Sequence, residues 1–239
     1  MAVIEGGASA SLLDVGAATL AGRIQIRPTD VGSLGSYSIA NLSGTMAAGL
    51  GAVAPIYSMR WADATRAMLL RRVGFVARNA GTAFTAGVFL FDLIVARAFT
   101  ASDSSGTPIL PTGNSQKKRT SFGTTLITDL RISSTATLTA GTRTLDTSPL
   151  QLIRGMVPAT QVNYPMVAKN NSPHVPGTST IAFSMDWQDL YNPDSATEWP
   201  LVFVQNEGFI IRATVPATGT WEFGVLMEWS EIVTTGGYN

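Results

Sequence analysis

The sequence has no cysteine and only one histidine among its 239 residues. The absence of cysteine excludes disulfide bonds, thiolate metal sites and cysteine nucleophiles. His174 alone cannot supply the pair of imidazole ligands found in ordinary zinc sites. We therefore expect no metal and no cofactor, and we expect the fold to be stabilised by burial of apolar side chains.

Charged residues are scarce as well, at 13% of the sequence, which is about half the share found in an average soluble domain. The formal net charge is zero, so no general electrostatic attraction to nucleic acid or to an anionic membrane is expected. Because 45% of the residues are apolar, an isolated chain would expose apolar patches of the kind that contact other proteins. We interpret this as a surface covered by neighbouring subunits, including further copies of the chain. A compact sandwich with a Ser/Thr-rich exterior is the alternative.

Motifs for catalysis and for nucleotide binding are missing. His174 is not accompanied by the Gly-x-Ser-x-Gly motif that surrounds the nucleophile of many Ser-His-Asp hydrolases. Gly49 and Gly51 lie in an Ala/Gly-rich run without the Lys-Ser/Thr pair of a phosphate-binding loop. No window reaches the roughly 18 consecutive apolar residues of a membrane helix. The sequence thus predicts no enzymatic activity and no membrane span.

Alternation of apolar and polar residues recurs along the chain from residue 20 onward, and turn residues separate the alternating segments. The pattern predicts an all-β protein, an antiparallel β-sandwich of about eight to ten strands that is jelly-roll-like. One sandwich domain is expected over residues 20–239, preceded by an extended arm over residues 1–19. The predicted strands cover residues 23–26, 37–39, 55–60, 68–78, 88–95, 122–133, 135–138, 181–187, 201–204, 209–215 and 221–229.

Two of these strands carry explicit predictions about their faces. Simple alternation over 68–78 places Leu69 with Val73 and Phe75, and places Leu70 on the opposite face. The 88–95 strand is apolar on both faces, which predicts a central position in a sheet. Residues 61–66 interrupt the pattern as a tight turn, in which we expect Arg60, Asp63 and Arg66 to hydrogen-bond the turn backbone.

The end of the sequence has the most regular pattern. Strand 209–215, the turn residues 216–219 and strand 221–229 together predict an antiparallel hairpin with an aromatic core face. That face contains five large apolar side chains: Trp221, Phe223, Val225, Met227 and Trp229.

The arm and one long loop are candidate contact regions for a partner protein. Leu12, Leu13 and Val15 form an apolar cluster in the arm, which can become ordered by docking on a neighbouring subunit. Residues 101–120 are rich in Ser, Gly and Pro and exceed the usual length of a connection. This loop ends in the basic residues Lys117, Lys118 and Arg119, which either contact an acidic partner surface or form a solvated loop tip.

A second candidate site combines aromatic and acidic residues, as carbohydrate-binding proteins do. The aromatic residues are Trp187, Tyr191 and Trp199, and the acidic ones are Asp186, Asp189, Asp194 and Glu198. Acidic residues in loops also cap turns, and a tryptophan beside a proline can simply fill a packing gap. Residues 189–200 are predicted to be a polar connection, and the proline-punctuated stretch 148–176 is assigned no strand.

Three segments resemble virion structural proteins of tailed bacteriophages: GGASASLLDVG at 6–16, GTMAAGL at 44–50 with IYSMRWADATR at 56–66, and the closing 208–229 segment. The resemblance implies a structural protein of the virion, assembled in the bacterial cytoplasm. It implies most specifically a capsid decoration or cement protein that contacts major capsid subunits or other virion proteins. A tail component, or a receptor- or glycan-binding tail module, is the alternative.

Overall fold

The computed structural model describes residues 5–6, 11–12, 34–50, 53–160, 162, 165–167, 187–193 and 200–233. Within these residues all regular secondary structure is β, and none of it is a helix that could cross a membrane. The strands are β1 (Glu5–Gly6), β2 (Ser11–Leu12), β3 (Gly35–Leu42), β4 (Met46–Ala47), β5 (Ala54–Trp61), β6 (Arg66–Asn79), β7 (Gly87–Ala101), β8 (Thr107–Pro108), β9 (Asp129–Ile132), β10 (Thr142–Leu145), β11 (Gln151–Val157), β12 (Pro165–Val167), β13 (Gln188–Tyr191), β14 (Leu201–Phe203), β15 (Glu207–Thr214) and β16 (Thr220–Val233).

Two antiparallel sheets pack face to face and confirm the predicted sandwich. The first sheet has the order β10–β7–β15–β5–β9–β8, with β11 following β10 along the same edge of β7. The second has the order β12–β6–β16–β3. β12, β13 and β14 follow one another along the same edge of β6, and β4 follows β3 along the same edge of β16. Followed along the chain, the main strands pass from one sheet to the other, except that β10 and β11 follow β7 in the first sheet and β13 and β14 follow β12 in the second. This is the double Greek-key order of a jelly roll. Strands β8 and β9 are an insertion on the outer edge of β5.

The core lies between the two sheets and is rich in aromatic rings. Phe75 on β6 and Phe91 on β7 contact each other across the sandwich, with ring centroids 4.8 Å apart. Trp221 on β16 packs against Phe91 at 5.6 Å and against Phe223 at 5.4 Å. Such ring pairs add to the stabilisation from apolar burial, so the two sheets are held together at the centre of their facing surfaces.

The predicted closing hairpin is wrong in its pairing, although both of its strands exist. β15 pairs with β5 and β7 in the first sheet, whereas β16 pairs with β3, β4 and β6 in the second. Residues 216–219 therefore carry the chain from one sheet to the other, with Gly219 at a φ of +85°. Alternation determines which face of a strand is buried, but it does not determine which strand lies alongside.

The predicted faces of β6 are wrong at Leu69 and Leu70. Arg72 pairs with Glu228 and Leu70 pairs with Trp229, so Arg71 is an extra residue on β6. This bulge reverses the alternation. Leu70 therefore joins the central core, while Leu69 packs on the outer face of the second sheet in a small separate cluster.

Strand β7 agrees with its predicted central position. It pairs with β15 on one edge and with β10 and β11 on the other. The predicted stripe of Phe89, Phe91, Leu93 and Val95 lies in the core. On the opposite face Ile94 is also buried, next to Ile210 of β15, so β7 buries apolar side chains on both faces over part of its length.

Several predicted boundaries differ from the structure. The predicted 122–133 strand is shortened to β9, and residues 135–138 form no strand. The predicted connection at 189–200 begins with β13, and the 148–176 stretch contains β11 and β12. Within the predicted extended arm, β1 and β2 pair with each other as a short antiparallel ladder. The predicted strands at 23–26 and 181–186 lie outside the described residues.

Candidate interaction surfaces

The predicted long loop is a segment that crosses from one sheet to the other along the side of the sandwich. At its start, Ser104 bridges Thr139 and β8 pairs with β9 in the first sheet. Further on, the Ser38 amide donates to the Gln116 carbonyl and the Lys118 amide donates to the Ser36 carbonyl, each at 2.9 Å. Those two bonds attach the segment to the outer edge of β3. We call residues 104–128 the side segment.

The three predicted basic contact residues lie where the side segment meets β3, and they differ in their partners. Lys118 Nζ forms an ion pair with Glu228 on β16, at 2.7 Å. Lys117 Nζ donates to the Asn114 side chain at 3.1 Å, and Arg119 is exposed. No carboxylate among the described residues pairs with Lys117 or Arg119. Two of the three cations thus remain available for an acidic partner surface.

A buried glutamate fastens the return of the side segment to the end of β16. Glu231 Oε1 accepts from the Thr125 hydroxyl at 2.5 Å and from the Leu126 amide at 2.9 Å. The Trp229 indole N–H donates to the same Thr125 hydroxyl at 3.3 Å. Arg66 lies 3.8 Å from the second carboxylate oxygen. Burial raises the pKa of Glu231, and the hydrogen bonds from Thr125 and Leu126 oppose that rise without cancelling it.

Glu231→Gln is expected to gain stability relative to wild type as the pH rises. A carboxyl with a raised folded-state pKa stabilises the fold most below its unfolded pKa of about 4.3, and that contribution is lost as pH rises through the folded value. Glutamine retains the acceptor for Leu126 without the buried charge. Urea unfolding from about pH 4 to about pH 8 should show a difference in unfolding free energy that moves in favour of the variant.

Glu228→Gln serves as the matched control, because it removes a carboxylate from the same strand at the surface, where it faces Lys118. Its unfolding free energy should differ little from that of the wild type across the same pH range, as is usual for ion pairs at the surface. If the difference in unfolding free energy between Glu231→Gln and the wild type does not change with pH, the inference that burial raises the pKa of Glu231 is wrong.

The residues of the candidate carbohydrate site are engaged in intramolecular packing where the structure describes them. Trp187 is partly buried on the outer face of the second sheet, where its ring lies against Gly224 and its Cβ lies beside Gly74. Tyr191 accepts a 2.7 Å hydrogen bond from the Leu201 amide, joining β13 to β14. Asp189 forms a 2.6 Å ion pair with Arg72.

Several predicted contact residues lie wholly or partly outside the described residues. The backbone of Leu12 is in β2, and its side chain is not described. The others outside are Leu13, Val15, Trp199, Asp186, Asp194 and Glu198. The predicted arm contact and the full carbohydrate cluster therefore stay predictions.

The turn between β5 and β6 is held by one of the three residues predicted for it. Asp63 Oδ1 accepts from the amides of Thr65 and Arg66, each at 2.8 Å, and these bonds together with the Thr65 hydroxyl lower the pKa of Asp63 despite its partial burial. Arg60 instead forms an ion pair with Asp129 on β9 at 2.8 Å. The predicted clamp is thus confirmed for Asp63 and wrong for the two arginines, because Arg60 pairs across strands and the Arg66 guanidinium faces Glu231.

The first sheet carries arginine–aspartate pairs. Asp92 on β7 receives two 2.8 Å hydrogen bonds from Arg212 on β15. The Asp103 and Arg143 side chains, both almost fully buried, form a second close pair. No group of three or more His, Asp or Glu side chains among the described residues is arranged to hold a metal ion. These carboxylates balance the charges of neighbouring arginines.

Sequence reasoning missed an exposed apolar edge formed by β11. Leu152 and Met156 point outward from this strand and are 55% and 71% exposed, and Leu150 just before it is also exposed. Val88, opposite Met156 on β7, extends the patch. The alternation of Leu152, Arg154 and Met156 with Ile153, Gly155 and Val157 was the available signal, but the flanking prolines concealed it.

The comparisons with known proteins found no matching family model and no significant match to a curated protein or to a solved structure. Any functional conclusion therefore depends on the residues, the fold and the surfaces described above.

Proposed function

We propose that the chain is a non-enzymatic structural subunit of a tailed-bacteriophage virion, and most specifically a capsid decoration or cement protein that contacts major capsid subunits. The observation that carries the proposal is a rigid jelly-roll sandwich whose low-charge exterior exposes large apolar side chains. Exposed apolar patches of this kind favour protein partners. The sequence resemblance to phage virion proteins supplies the class of assembly.

The jelly-roll fold is compatible with this role but is shared by proteins of other functions. Jelly rolls build many viral capsid domains, and they also build lectins and cupins. The resembling segments 56–66 and 208–229 include β5 with its turn, β15 and most of β16. These two segments thus fall on strands that form the body of the sandwich, while the resembling segment 6–16 belongs to the arm.

Attachment to a shell would use several weak contacts at once. The proposed contacts are the arm over residues 1–19, the exposed Arg119 and half-buried Lys117 on the side segment, and the exposed apolar residues on the sheet surfaces. Together they are proposed to form repeated apolar contacts of standard interface size, with no single site carrying the affinity. Repetition over a symmetric shell converts such contacts into a high avidity.

Removing residues 1–19 is expected to weaken shell binding by at least about tenfold, because one contact of a multivalent set is lost. The melting temperature should stay unchanged, since every sandwich strand from β3 onward is retained. Both quantities are measured on the full chain and the truncated chain, by cosedimentation with shells that lack the subunit and by thermal unfolding.

Electron cryomicroscopy of intact particles provides the control for location. Density for the subunit on the outside of the head supports the cement role. Truncated protein that binds shells as tightly as the full chain would contradict the role given to the arm. Absence of the chain from purified particles would overturn the virion assignment itself.

A receptor- or glycan-binding tail module is the second candidate, because lectins share the jelly-roll architecture and Trp187 is partly exposed on the sheet surface. This candidate predicts that Trp187→Ala abolishes adsorption to cells or to arrayed glycans while particles still assemble. The cement role predicts unchanged adsorption. Thermal unfolding of the variant must accompany the assay, since the ring also packs against Gly224.

A further inference from the structure

The edges of the two sheets differ in how they are protected from pairing with another chain. An unpaired edge is a template for strand addition, and proteins protect edges by keeping them short, bulged, charged or covered. Most edge strands among the described residues meet one of these conditions. β4, β8, β10, β12, β13 and β14 contain two to four residues each, and the pairings of β10, β12 and β13 are interrupted by register shifts.

The long edge strand of the second sheet is covered. β3 has eight residues, and its outer edge is occupied by the side segment, where Lys117 bridges Tyr37. The bonds from Ser38 to Gln116 and from Lys118 to Ser36 complete this cover. An incoming strand therefore cannot use the edge of β3 without displacing the side segment.

β11 has none of these protections within the described residues. Its seven residues pair with β7 in an unbroken register from Gln151 to Val157, and no described strand lies along its other edge. The strand contains no proline and no lysine, and Arg154 is its one charged residue. Its outward side chains, Leu152 and Met156, are apolar and exposed.

We propose that β11 pairs with β11 of a second copy of this chain, antiparallel and across a two-fold axis, to join the two first sheets into one. The partner must offer an equally long and unprotected edge, and among the described strands of this protein β11 is the one that does. The chain has no net charge, so two copies do not repel each other overall. The inference does not depend on the virion assignment.

The side chains of β11 are compatible with such self-pairing in one register. If Ile153 lies opposite Ile153 of the second copy, each Arg154 lies opposite a Leu152 and not opposite the other arginine. Leu150 then lies opposite Met156. The two outward faces then place Leu150, Leu152 and Met156 of each copy around the two Arg154 side chains, with Val88 of each copy at the flank. This is an isologous contact, in which one patch contacts its own equivalent.

The test measures the mass of the full-length chain in solution by light scattering after size exclusion, at micromolar concentrations. The wild type is expected at twice the 25.2 kDa chain mass. Leu152→Lys with Met156→Lys should reduce the mass to that of one chain. The lysine at position 152 then lies opposite Arg154, and the lysine at position 156 replaces the apolar partner of Leu150. Hydrogen exchange should show the β11 amides that face away from β7 protected in the wild type and exposed in this variant, while the amides bonded to β7 stay protected in both.

A matched control, Leu42→Lys with Val204→Lys, places the same charges on exposed apolar residues elsewhere on the molecule and should leave the dimer intact. All four substituted side chains are exposed, so folding is expected to survive, which circular dichroism verifies. A monomeric wild-type chain would overturn the inference. So would a dimer that survives both lysines in β11, and neither result would affect the virion assignment.

Discussion

Replacing Arg212 with methionine is expected to lower the free energy of unfolding by about 3–5 kcal/mol, because it leaves the buried Asp92 carboxylate without its counter-ion. The Asp92 side chain is only 4% exposed, and both of its oxygens are bound by the guanidinium of Arg212. Urea unfolding at neutral pH, monitored by tryptophan fluorescence, measures the loss.

The double variant Arg212→Met with Asp92→Leu distinguishes the cost of an unpaired charge from the loss of a useful contact. Removing both charges should recover most of the stability lost in the single variant, since apolar pairs of similar volume often replace buried ion pairs without loss. A double variant as unstable as the single one would show that the ion pair itself stabilises the first sheet.

Arg97→Met is the matched control. Arg97 also pairs with carboxylates, those of Asp146 and Glu207, but its side chain is 53% exposed. Solvent screens such a pair, so we expect a loss below about 1 kcal/mol. The burial of the carboxylate decides between the large effect and the small one, even though both arginines lie on the same sheet.

The sequence was sufficient to predict the architecture, because burial imposes a simple period on a strand. The stripes in β7, β15 and β16 were visible as alternation, and the structure places their apolar faces in the core. The turns at 61–66 and 216–219 were visible as breaks in that alternation. Each of these features is local, so a window of about ten residues contains the information.

Pairing partners and register are not local, and there the prediction was wrong. The bulge at Arg71 could not be read from β6 alone, because it exists only relative to Glu228 and Trp229 on the neighbouring strand. For the same reason two consecutive strands that resembled a hairpin belong to opposite sheets. A jelly roll separates consecutive strands between its two sheets, so proximity in sequence is a poor guide to pairing in this fold.

The candidate surfaces were predictable only in part. The basic run 117–119 was identified, but its attachment to β3 depends on backbone hydrogen bonds that any residue type can form. Glu231 gave no signal in the sequence, since a glutamate near the end of a strand is ordinarily exposed. Its burial results from the return of the side segment over the end of β16, which places Thr125 and Leu126 against the carboxylate.

Gly208→Ala is expected to destabilise the fold by about 3 kcal/mol, because the added methyl group has no space. Gly208 is buried in β15 between Arg60 of β5 and Ala96 of β7. A Cβ at this position would clash with the carbonyl oxygen of Met59, which is main chain of the neighbouring strand and cannot move without disturbing the sheet.

Gly123→Ala provides the matched glycine, because the nearest heavy atom to a Cβ there is 4.0 Å away. That variant should remain within about 0.5 kcal/mol of the wild type in the same urea unfolding measurement. Equal stability of the two variants would mean that β5 and β15 can separate at low cost. The close approach of their backbones would then not be essential to the centre of the first sheet. A large loss of unfolding free energy that is confined to Gly208→Ala instead identifies the β5–β15 contact as a closely packed part of the sandwich that does not yield.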